Sequence, residues 1–105
     1  MTIVVNIADR ATPELVDAMN RLIPQLSSSN PAPTEAELAT IIRQEACDVI
    51  VARDGNTIVG SLTLVVFPIP TGIRAWIEDV VVDEAARGKG VGEALNTFAL
   101  QRARE

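Results

Sequence analysis

The chain has no histidine, no tyrosine, one cysteine, one lysine and only three aromatic residues in 105. Without histidine there is no Cys–His or Ser–His pair to activate a nucleophile. A zinc site would also lack its usual ligand set, so no metal is expected. A single cysteine, Cys47, cannot form an internal disulfide, which suits a reducing, cytoplasmic setting. Cys47 sits between a helical pattern and "DVIVA", where it reads as a small buried hydrophobe rather than a nucleophile. Long apolar runs are missing too. The longest, "SLTLVVFPIP", contains two prolines and is too short to span a bilayer, so no membrane role is expected. No basic segment precedes the apolar residues of "MTIVVNIADR", so no secretory signal is expected either. Positive charge is scarce: 9 Lys and Arg against 14 Asp and Glu leave a net charge of −5. That balance argues against a nucleic-acid partner held by the overall field.

What is present reads as an ordinary globular chain, 48% apolar and 22% charged, of a length suited to one domain spanning residues 1–105. The β-branched run at residues 2–8, "TIVVNIA", predicts a first strand. Thr12 followed by Pro13 predicts a helix start, with Leu15, Val16, Met19, Leu22, Ile23 and Leu26 at helical spacing behind it. "SSSNPAP", residues 27–33, is a loop. Thr34 with Glu37 forms a capping-box signature and opens a second helix with the face Leu38, Ile41, Ile42 and Ala46. The runs "DVIVAR" and "TIVGSLTLVVF" flank Asp54-Gly55-Asn56, a hairpin signal. Gly60 interrupts the second run and predicts a bulge or a close backbone approach. "PIPTG" is expected to be a loop, and residues 74–83 a fourth strand in which Trp76 packs in the core or the hairpin. A final helix begins near Val91, with Val91, Ala94, Leu95, Phe98 and Arg102 along one side. The expected order is β-α-α-β-β-β-α, a mixed α/β domain without repeats or an internal linker.

The only lysine lies in "RGKGVG", Arg87 to Gly92, between the fourth strand and the last helix. Unpaired N–H groups and the helix dipole favour an anion at such a junction. Glycines at 88, 90 and 92 remove side chains that would keep a phosphate away, and Arg87 and Lys89 add positive charge. The P-loop pattern is not met, because no Ser or Thr follows the lysine. The dinucleotide fingerprint fails as well: the spacing is G-x-G-x-G, and the chain ends 13 residues after Gly92, short of the required acidic residue. A plain glycine-rich turn is the alternative.

The pattern [R/Q]-x-x-G-x-[G/A] after an apolar strand and before an amphipathic helix resembles the acetyl-CoA signature of the GNAT N-acetyltransferases. It is carried here by Arg87, Gly88, Lys89, Gly90, Val91 and Gly92. "IEDVVVD", the hairpin "VARDGNTIVGSLTLVV" and the element order are also similar to that family, and the resemblance runs over essentially all of the chain. Within it, "EDVVV" followed by "RGKG" is similar to the glucosamine-phosphate N-acetyltransferases, a string shared by many small-amine enzymes.

The resemblance implies transfer of acetyl from acetyl-CoA to a primary amine. It places Val80, Val81 and Val82 at the pantetheine arm and thioester through their backbone, with a main-chain N–H facing the developing oxyanion. It places the pyrophosphate on Arg87 to Gly92. Of the two carboxylates in the fourth strand, Glu78 is aligned with the proton-accepting acid of similar enzymes, and strand alternation is expected to turn Asp79 to the other face. Both acids could instead be solvated charges at a strand end. The loop at residues 27–33 falls where family members cover the acceptor. A complete family domain would continue past the third helix with further strands and usually a tyrosine that protonates the leaving thiolate; the sequence stops at Glu105 and has no tyrosine. The fold expected is therefore the GNAT pattern truncated after the third helix, its fourth strand left as an open apolar edge. A homodimer covering that edge through the fourth strand or last helix is expected. Three functions stay open: an N-acetyltransferase, an inactive acetyl-CoA-binding remnant, and a non-enzymatic α/β module.

Overall fold

The computed structural model describes residues 2–104. Its elements in chain order are β1 (Ile3–Ile7), α1 (Pro13–Leu26), α2 (Glu35–Arg43), β2 (Cys47–Asp54), β3 (Thr57–Ile69), β4 (Gly72–Val82), a 3-10 turn (Glu84–Ala86) and α3 (Val91–Ala103). The expected order β-α-α-β-β-β-α is the observed one.

The first two helices begin where their caps dictate. The Leu15 N–H donates to the Thr12 hydroxyl at 3.1 Å, with Pro13 in the first turn, where its missing N–H costs nothing. Glu37 N–H donates to Thr34 Oγ1 at 3.1 Å and Thr34 N–H to Glu37 Oε1 at 2.9 Å, so the capping box is complete. The helix α2 is shorter than the periodicity implied. It ends at Arg43, and Ala46 lies outside it, its carbonyl accepting from the Val66 N–H at 2.9 Å beside the β2–β3 pairing.

The four strands form one antiparallel sheet in the order β1-β2-β3-β4. Along β2, Val49 and Val51 pack beneath α1 and α2 with Leu15, Leu22 and Leu38, while Ile50 and Ala52 face Leu95 and Ala99 of α3. Both faces of β2 are thus buried at its centre, which is why Val49 to Ala52 run continuously apolar. Among the described residues no helix is long and apolar enough to cross a membrane.

The β3–β4 hairpin is longer than expected. Residues 68–72 do not form a loop: Pro68 and Ile69 continue β3, Ile69 pairs with Gly72, and only residues 70–71 turn. The Val66 N–H is the last on its side to meet a partner, and β2 pairing has already stopped at Val65. At Pro68 the missing N–H therefore points where no strand waits. Two register shifts shape the rest. One lies between Ala52 and Arg53, opposite Ile58 to Gly60, as the glycine had suggested. The other, between Ser61 and Thr63, sets both Asp79 and Val80 against Leu62.

Candidate active site

The outer edge of β4 has no strand partner among the described residues. The Asp83 N–H donates to the Val59 carbonyl at 2.8 Å, pointing into the sheet. By alternation the backbone of Val82 faces outward, and its carbonyl accepts from Arg87 Nε at 3.3 Å. The three valines differ in their side chains. Val81 is buried beneath α1, Val82 packs toward α3, and Val80 is 36% exposed.

Beyond β4 the chain is held by Asp83. Its Oδ1 accepts from the Ala85 N–H at 3.1 Å and its Oδ2 from Arg21 Nε at 3.1 Å. The Ala85 amide, then the Arg21 and Gln25 side chains, hold the Asp83 carboxyl below its ordinary value, against the opposing effect of burial. The loop that follows turns on two glycines with φ of 81°, Gly88 and Gly90. Gly90 is the N-cap of α3 and has no side chain to accept from the first helical amides. Those donors therefore stay open. A side chain at Gly88 or Gly90 would project into empty space, and one at Gly92 would stand 3.7 Å from Val82 Cγ2. The space over the helix start is kept clear by the absence of Cβ atoms. With Arg87 and Lys89 alongside, this arrangement suits a phosphate-type anion. Glu84 and Glu93 flank the loop, so the attraction is confined to the amides and the two cations.

The position of α3 is set from below by Gly60. A Cβ there would lie 2.9 Å from Val91 Cγ1 and 3.1 Å from Leu95 Cδ1. The helix start that carries the open amides thus rests directly on the β3 backbone.

Glu78 stands on β4 opposite Thr63, and the indole N–H of Trp76 donates to its Oε1. Of the two places expected for Trp76, core or hairpin, it takes the hairpin: it lies opposite Val65, is 56% exposed, and its indole holds that carboxylate. Asp79 departs from expectation. The bulge breaks strand alternation, gives Asp79 a φ of 52°, and brings it to the same cavity as Ser61 and Thr63. Glu78 and Asp79 therefore do not take opposite faces.

That cavity, about 400 Å³, lies between α1, α2 and the sheet. Its walls include Met19, Ile23, Leu38 and Ile41, with Ser61 and Thr63 on its floor. Residues 27–33 contribute Ser27, Asn30 and Pro31 to Pro33. Ser61 and Thr63 were not singled out from the sequence, and Asp79 was expected on the other face. The alternation Ser-Leu-Thr-Leu at residues 61–64 does put the two hydroxyls on one face, while nothing local announces the bulge at Asp79. Cys47, read as a buried hydrophobe, is half-buried at the start of β2.

The family model "Acetyltransferase (GNAT) family" matches residues 15–105. No protein with a curated description matches the sequence. Among solved structures, a protein of Agrobacterium tumefaciens str. C58 assigned to the acetyltransferases is 28% identical, with a TM-score of 0.84 over 95% of this chain and 72% of its own. An acetyltransferase of Trypanosoma brucei is also 28% identical, with a TM-score of 0.75 over 98% of this chain and 75% of its own. An aminoglycoside acetyltransferase from an uncultured soil metagenomic sample, solved with sisomicin, shares the fold at 23% identity, with a TM-score of 0.82 over 97% and 70% of the two chains.

Proposed function

The chain belongs to the GNAT acetyltransferase family, and from that premise we propose that it moves an acetyl group from acetyl-CoA to a primary amine. One observation carries the reading: after β4, whose outer edge is unpaired among the described residues, α3 starts on a bare, left-handed Gly90 with its first amides unclaimed. In this reading the amides of residues 88–92, with Arg87 and Lys89, hold the pyrophosphate. Val80, Val81 and Val82 offer main chain to the pantetheine arm, Val82 through the backbone it turns outward.

Acetyl-CoA supplies an activated acyl carbon: the amine nitrogen bonds to it, the carbon–sulfur bond breaks, and the proton lost by nitrogen balances the one gained by sulfur. Glu78 accepts the amine proton. Its Oε1 is fixed by the Trp76 indole, which leaves Oε2 for the acceptor, and its register partner Thr63 lines the cavity. Cytoplasmic residence is part of the same reading, supported by the unpaired thiol of Cys47.

Acetyl-CoA calorimetry together with free-thiol release across a panel of amines tests it. Glu78→Gln should lower turnover at neutral pH by at least about a hundredfold, the range of a lost general base, while acetyl-CoA affinity stays within about twofold. Cofactor binding without thiol release from any amine would reduce the chain to an inactive acetyl-CoA binder. Absence of cofactor binding would leave the glycine loop as a turn.

A further inference from the structure

The walls of the α1–α2 cavity are mainly apolar, and among the described residues its only charged lining residues are Asp79 and Glu37, with no Lys or Arg. Glu37 is tied to Thr34 by the capping box, and those bonds, the Thr34 backbone N–H first, hold its carboxyl below its ordinary value, so it keeps its negative charge at neutral pH. Asp79 differs: its carboxylate takes no side-chain hydrogen bond among the described residues. It stands beside the hydroxyls of Ser61 and Thr63, where Ser61 is 3% exposed. A phosphate or carboxylate on the ligand would meet two like charges here and no counter-ion. A polyhydroxylated ligand would find few partners on walls such as Met19, Ile23, Leu38 and Ile41, and its hydroxyls would be desolvated without return. An ammonium group on an apolar body meets both demands at once.

Building on the acetyl-transfer reading above, we propose that the acceptor is a small primary amine with an apolar body, seated in this cavity with its ammonium group at Asp79. Phosphorylated amino sugars and polyhydroxylated amines are then poor acceptors. The proposal thereby separates the chain from the glucosamine-phosphate enzymes that its "EDVVV" and "RGKG" strings resemble.

The test is binding followed by NMR on the ¹⁵N-labelled chain, titrated separately with 2-phenylethylamine, 3-phenylpropanoate, glucosamine 6-phosphate and acetyl-CoA. The amine is expected to shift the amides of Leu38, Ser61, Thr63 and Asp79, and the two anions to leave them unmoved at equal concentration. Asp79→Asn should weaken amine binding by about tenfold or more, as for a lost charge-assisted bond. Asn tolerates the left-handed backbone at this position, so the fold should be kept. Ile41→Lys, at a side chain 37% exposed, brings a cation to the rim and should abolish amine binding. Equal or tighter binding of either anion in the cavity, or amine shifts confined to another region, overturns the proposal. Loss of acetyl-CoA binding alone overturns the transfer reading and leaves the selectivity of the cavity standing.

Discussion

Replacing Gly60 by alanine tests how the cofactor loop is held. The added Cβ would stand 2.9 Å from Val91 Cγ1, and reaching a tolerable 3.4 Å requires a displacement of 0.5 Å. Neither neighbour can yield freely, because Val91 is 1% and Leu95 0% exposed, and the Val81 carbonyl closes the third side at 3.2 Å. The helix must therefore lift as a unit, carrying the amides of Gly90 to Gly92 with it. Overpacking of this kind costs about 1–3 kcal/mol. The reduced freedom of the unfolded chain returns about 0.4–1 kcal/mol. A net loss of about 1.3 kcal/mol remains at the middle of these ranges, and each kcal/mol lowers Tm by about 4–8 °C in a domain of this size. Acetyl-CoA affinity should fall as well, since donors placed for phosphate oxygens tolerate little displacement. Gly55→Ala supplies the control: its φ of 61° strains an alanine, but nothing lies within 4 Å. It should lower Tm and leave cofactor affinity unchanged. Differential scanning calorimetry and isothermal titration on both variants read the two effects separately. A Gly60→Ala protein as stable as the parent, with unaltered affinity, refutes the claim that β3 sets the height of α3.

Three further outcomes follow from the same site. Gly92→Ala should preserve the fold and bind acetyl-CoA nearly normally, because its Cβ would make only an ordinary contact with Val82; Gly92→Val should weaken binding by about tenfold, the size of one lost bond to a charged oxygen. Equal affinity for parent and valine variant, by calorimetry, would remove the cradle. Asp83 has a carboxyl pKa below the ordinary 3.8, so its contribution is complete above that value and disappears as the pH falls through the lower folded one. Asp83→Asn should cost about 1 kcal/mol at pH 7, and the difference from the parent in urea melts should vanish toward pH 2; a constant difference across that range contradicts the assignment. Finally, the open β4 edge carries Ile73 at 71% and Trp76 at 56% exposure, so this chain should sediment as a dimer at micromolar concentration, and Val80→Lys should return it to a monomer. A monomeric parent ends that expectation.

The parts of this architecture that could be read from sequence are those governed by neighbours in the chain. Thr12, Thr34 and Glu37 act on amides three residues away, and Gly60 announced a bulge or a close backbone approach, of which the structure shows a register shift beside it and α3 packed against it. The glycine turn before α3 was legible for the same reason, since the left-handed backbone at Gly88 and Gly90 is a property of those residues themselves. What escaped was set by tertiary surroundings. Pro68 looks like a strand breaker until β3 is seen to outrun β2, and the choice between core and hairpin for Trp76 is settled only by where the hairpin lies. Asp79 is the most consequential case. Strict alternation would turn it away from Glu78, and only the extra residue opposite Leu62 swings it into the cavity. The acidic pair in "IEDVVV" is thereby divided by geometry rather than by alternation: one carboxylate held by an indole at the strand surface, the other free at the mouth of an apolar cavity. The two roles proposed above, proton acceptor for Glu78 and ammonium anchor for Asp79, call for different surroundings, and a single bulge gives two adjacent acids different surroundings.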